Sequence, residues 1–164
     1  LTLALKTLNK EPRYARQYSY YRLQAWSCFD IDGEASSFWA FCDHGKGPGD
    51  WSPYLAASGS FTPYFLDPTS VTPSKAIEAI RAGAQDFEYL LLLKQAVAVL
   101  RLNKANPMRL ADGQRLLDAA YQRVIDAPQA KVMEWAVAKP RTAADEVRAE
   151  IGSWLEQAEP AAAR

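Results

Sequence analysis

The sequence predicts an α/β chain: the closing portion of a (β/α)8 barrel, with two strands and their helices, followed by C-terminal helices, so that most residues are helical. Three observations carry this expectation. The run SSFWAFC is apolar on both faces, as a strand in the middle of a covered, parallel sheet must be. Helical and strand-like patterns alternate through the first part of the chain. From Thr72 onward only helical periodicity remains.

Each element has its own signal. In PRYARQYSYYRLQAWSCFD, proline opens the pattern where its missing N–H costs nothing. Tyr14, Tyr18, Tyr21, Ala25 and Phe29 then recur at helical spacing. A helix over 12–30 with an aromatic buried face is expected, closed by a glycine turn at IDGEAS. After SSFWAFC comes GKGPGDWSPYLAASGS, a long Gly/Pro/Ser loop. The next run, FTPYFLD, contains a proline and is expected to be irregular or an edge strand. Thr72 is the expected N-cap of a long helix with Pro73 at its first position. Ile77, Ile80, Ala84, Phe87, Leu91 and Lys94 or Gln95 are expected to trace its face. Two more helices are expected, one from Arg109 to Ile125. The other starts at Thr142, with Val147, Ile151 and Leu155 at four-residue steps. The expected division is 1–104, the barrel portion, and 105–164, a helical extension.

Bulk properties exclude several functions. With 164 residues and zero net charge, the chain lacks the basic face of a nucleic-acid binder and the polybasic patch of a membrane-surface protein. Its longest apolar run is too short to span a bilayer. Cys28, Cys42 and the single histidine, His44, offer no metal-ligand spacing, so neither a metal nor a cofactor is expected.

The segment Arg81-Ala-Gly83-Ala-Gln-Asp86-Phe-Glu88-Tyr89-Leu90 places an expensive polar cluster inside an apolar helix. Seven residues make about two turns, so Arg81 and Glu88 share a face. Gly83 would let a neighbouring backbone approach closely. The cluster reads as a lock between this helix and its neighbours, with Asp86 or Glu88 pairing a buried arginine such as Arg81 or Arg22. The other reading points Arg81 toward a substrate.

Together with YYRLQAWSCFDIDGEASSFWAFCD and the Trp-Tyr loop, this pattern resembles the C-terminal part of the catalytic domain of glycoside hydrolase family 123 and its uncharacterised relatives. The likeness covers residues 12 to 100, and Gln85 departs from it where the family has an acid. The resemblance implies a (β/α)8 barrel acting on N-acetyl-β-galactosaminides by substrate-assisted catalysis, with an Asp-Glu pair orienting the acetamide and protonating the leaving oxygen. The only Asp-Glu dipeptide here, Asp145-Glu146, follows Thr142 as helix-capping acids do. No catalytic residue is therefore expected in this chain, and the pair is expected upstream of Leu1.

In such a barrel the site lies at the carboxyl ends of the strands. Asp43 and His44 fall there, and Trp39, Phe41 and Asp43 share parity. Trp39, Trp51 and Tyr54 are candidate platforms for a sugar's C–H face, Asp43 a hydroxyl acceptor, and His44 a candidate base or a hydrogen-bonded bystander. The expected partners are a carbohydrate and the N-terminal part of the parent barrel, without nucleic acid or membrane. Two alternatives stand beside the hydrolase reading. One is a non-catalytic carbohydrate-binding or structural module. The other is a helical interaction protein using 105–159.

Overall fold

The structure, a computed structural model, describes residues 21–36, 63–66, 69–104, 106–125 and 142–157. These residues are mostly helical. In chain order they form α1 (Leu23–Asp30), β1 (Tyr64–Leu66), β2 (Val71–Pro73), α2 (Lys75–Leu102), α3 (Pro107–Val124) and α4 (Ala143–Glu156). The expected strand SSFWAFC lies, apart from Ser36, outside the described residues. The chain divides into two compact units, Leu1–Ala84 with Val132–Trp135, and Gln85–Lys131 with Ala136–Arg164.

In the first unit, α1 is buried more widely than its aromatic stripe suggests. Trp26 is its most buried large side chain, and Tyr21, Arg22, Gln24, Ser27 and Cys28 are buried with it, whereas Ala25 and Phe29 are only half-buried. A helix covered on so much of its circumference packs on more than one side. Its C-terminus closes as a Schellman motif. Gly33 N–H donates to the Cys28 carbonyl at 2.8 Å and Asp32 N–H to the Phe29 carbonyl at 3.1 Å. The left-handed position falls on Asp32 (φ 54°), not on the glycine. Gly33 is needed for space instead, because a Cβ there would lie 3.1 Å from Cys28 Sγ.

The strand expected in FTPYFLD is β1. It pairs antiparallel with β2, with Tyr64 opposite Pro73 and Leu66 opposite Val71. A connection as short as Asp67 to Ser70 can only reverse the chain; a parallel crossover needs about a dozen residues. Thr72 and Pro73 therefore belong to the hairpin and not to the helix start. Ser74 caps α2 instead, its Oγ accepting from Ala76 N–H at 3.1 Å.

The buried line of α2 is Ala76, Ala79, Gly83, Asp86, Leu90, Leu93 and Val97. Steps of three and four keep these residues on one side of a 28-residue helix. The expected face ran one residue later. Ile77, Ile80, Phe87 and Leu91 are half-buried flanks of the line, and Ala84, Lys94 and Gln95 are exposed. Size alone points to the large side chains as the centre, but small residues hold the centre in the first half of the helix, where packing is close. Away from this line, Leu92, Val99 and Leu102 are exposed.

In the second unit, the later part of α2 is joined by α3 and α4. Asn106 caps α3 through Oδ1, which accepts from Arg109 N–H at 3.1 Å, and Pro107 takes the first helical position. Leu116, Ala120, Tyr121 and Val124 are buried along α3, and Ala143, Ala144, Val147 and Ile151 along α4. The capping box expected at Thr142 is absent, since the threonine side chain makes no cap hydrogen bond. Asp145 turns to Arg148 instead, at 3.2 Å.

Candidate functional site

The polar cluster of α2 is the part of the expected site that the described residues contain. Its members separate by position on the helix. Arg81 lies on the exposed side and pairs with Glu78, Nη2 to Oε2 at 2.8 Å. This is an i,i+3 surface pair of small energetic weight. Glu88 is also exposed. Gly83 and Asp86 lie on the buried line. A Cβ at Gly83 would sit 2.7 Å from the Arg22 carbonyl oxygen and 3.1 Å from its Cα, so α1 crosses α2 backbone to helix at this residue.

Asp86 carries the buried charge. Its side chain is wholly enclosed, and Arg148 Nη1 donates to its Oδ1 at 3.0 Å. Arg148 simultaneously reaches Asp145 through Nη2. One partner of Asp86 is thus on α4, an arginine not named from the sequence. A signal for Arg148 was present: it follows Val147 on the apolar side of a helix whose first turn already holds two acids. Tyr89 is partly exposed, and its ring edge faces Gly152 of α4, where a Cβ would come within 3.3 Å.

Chemically, this arrangement joins and orients. Asp86 is enclosed and charge-paired, which suits architecture rather than proton transfer. Arg81 is exposed and bound to its own helix neighbour. Trp39, Asp43, His44, Trp51 and Tyr54 lie outside the described residues. Among the described residues, no group of three or more His, Cys, Asp or Glu side chains is placed to hold a metal ion. No helix among them is long and apolar enough to cross a membrane.

A second fixture, not anticipated from the sequence, joins α3 to α4. The Arg109 guanidinium stacks 4.4 Å above the Trp154 ring. The same side chain donates from Nη2 to the Trp154 carbonyl at 2.5 Å. Gly113 lies under the ring edge, where a Cβ would collide with Cζ2. Arg123 and Glu150 tie the two helices again at 2.5 Å. No protein-family model, curated protein or solved structure matches the chain.

Proposed function

We propose that the chain is the C-terminal part of a glycoside hydrolase-like protein that hydrolyses or binds glycans containing N-acetylhexosamine. In this reading the helices close a (β/α)8 barrel whose catalytic Asp-Glu pair lies outside the chain. The chain contributes Trp39, Asp43, His44, Trp51 and Tyr54 to the sugar-facing end. The reaction is substrate-assisted: the acetamido oxygen attacks the anomeric carbon while an acid protonates the leaving oxygen.

The observation that carries the reading is the Arg81-to-Leu90 pattern, in which Gly83, Asp86 and Leu90 each have a physical reason to be there. Gly83 admits the Arg22 backbone, Asp86 receives Arg148, and Leu90 is buried. These are three of the six positions that give the family resemblance its specificity, and the packing resists their replacement.

The test is hydrolysis of an aryl N-acetyl-β-galactosaminide by the parent protein. Release of the aryl group with retention of the β-configuration is expected, and loss of both upstream acids should abolish it. Glycan binding without turnover would leave the non-catalytic carbohydrate module in its place. Neither turnover nor binding would end the reading.

A further inference from the structure

Helices α3 and α4 leave an open cleft of about 390 Å³ between them, inside the second unit. This lies within the roughly 300–1,000 Å³ common for small-molecule sites. One wall is the indole of Trp154. Its position is fixed from two sides, by the Arg109 guanidinium stacked over the ring and by Gly113 beneath its edge. An aromatic wall held this firmly loses little freedom when a ligand packs on it.

The remaining lining sets apolar Leu116 and Ala119 beside polar side chains whose charges balance. Arg115 pairs with Asp112 at 3.1 Å, and Arg123 pairs with Glu150 at 2.5 Å. All four side chains line the cleft with the Ser153 hydroxyl. The paired side chains present donors and acceptors to the cleft at zero net charge. An anion entering here would meet Asp112 and Glu150, and a cation would meet the two guanidiniums. A purely apolar ligand would strip water from all four groups without replacing their hydrogen bonds. A neutral ligand rich in hydroxyl or amide groups, with one C–H face, satisfies the whole lining. Its hydroxyls donate to the carboxylates and accept from the guanidiniums, and its C–H face packs on the indole.

We infer that this cleft is a glycan subsite that takes a neutral N-acetylhexosamine unit. The cleft's chemistry selects a neutral sugar by itself; the choice of an N-acetylated one rests on the proposed function. The acetamido group supplies one amide donor and one carbonyl acceptor, which the paired carboxylates and guanidiniums can meet together.

The test is an NMR titration of the 15N-labelled chain with N-acetylgalactosamine, with galactose and inorganic phosphate run in parallel. The sugar is expected to shift the Trp154 indole N–H resonance, and phosphate is not. Arg115→Ala should weaken that response about tenfold, the loss expected for a hydrogen bond to a charged group. The Arg115 side chain is 79% exposed, so this variant should melt where the wild type does. A Trp154 resonance unmoved by both sugars, or moved more by phosphate, overturns the inference. A shift confined to the Trp39 or Trp51 indole overturns it as well while leaving the proposed function standing. A shift at Trp154 in a chain whose parent shows no turnover upholds the cleft while the hydrolase reading fails.

Discussion

Arg148 donates to Asp86 across 62 residues of sequence, Nη1 to Oδ1 at 3.0 Å. The two ends of this pair differ in environment. The Asp86 side chain is fully enclosed, whereas Arg148 keeps 26% of its side-chain surface. The pair joins α2 to α4 within the second unit, and Arg148 also holds Asp145.

Breaking such a pair from one side costs more than the pair contributes, because the enclosed charge loses this partner and regains no water. Asp86→Asn or Arg148→Met should each lower stability by about 3 kcal/mol in equilibrium urea unfolding. Replacing both, as Asp86→Leu with Arg148→Met, should cost less than the two single changes added together. A strictly additive result would show that the two side chains do not act as a unit.

Glycines on α2 and α4 should respond in opposite directions to the same change. In Gly83→Ala the new methyl meets Arg22 backbone at 2.7 Å, so α1 must shift. The expected loss is about 1–3 kcal/mol, larger than the helix-propensity gain. In Gly152→Ala the methyl meets only the Tyr89 ring edge, at 3.3 Å, and that ring is partly exposed and free to yield. There the propensity gain of up to about 1 kcal/mol should dominate. Thermal melting of the two variants should therefore move to opposite sides of the wild type.

These two sites also show how far the sequence could be read. The helical nature of α2, α3 and α4 was legible from apolar periodicity, and Gly83 and Asp86 stood out because both are costly inside a helix. The register of α2 was not. A stripe that begins Ala76, Ala79, Gly83 is invisible to a count of large apolar residues, and Ile77, Ile80 and Phe87 drew the face one position too far along. Thr72 and Ser74 are both good caps, and only the β1–β2 pairing decides between them. Arg148 is remote from Asp86 in sequence, so their meeting depends on how α2 and α4 pack. Arg109 and Trp154 are unreadable for the same reason. The sugar-facing candidates Trp39, Asp43, His44, Trp51 and Tyr54 lie outside the described residues.

Cys28 should behave as an inert thiol in the folded chain. It is buried, its Sγ donates to the Gly33 carbonyl at 3.2 Å, and burial pushes its pKa above the ordinary 9.0. The thiolate is the reactive form, so labelling by a disulfide reagent near pH 8 should be slow and should accelerate on unfolding. Because the folded pKa is raised, the unfolded chain releases the proton first. The stabilising contribution is full below the unfolded pKa and is lost as pH rises from about 9 toward the folded value. Cys28→Ser should remove this alkaline sensitivity; a variant that keeps it would assign the loss to another group.

Asn106 combines two demands at the start of α3. Its backbone is left-handed (φ 38°), and its side chain accepts from Arg109 N–H. Asn106→Ala loses the cap, about 1 kcal/mol, and puts at φ 38° a residue that tolerates the left-handed region less well than asparagine does, a further loss. Asn106→Gly loses the same hydrogen bond but none of the backbone freedom, and cap replacement by glycine costs only a few tenths of about 1 kcal/mol. Urea unfolding should thus rank wild type above Asn106→Gly, and Asn106→Gly well above Asn106→Ala. Equal losses in the two variants would mean that the side-chain hydrogen bond, and not the backbone conformation, sets the contribution of this residue.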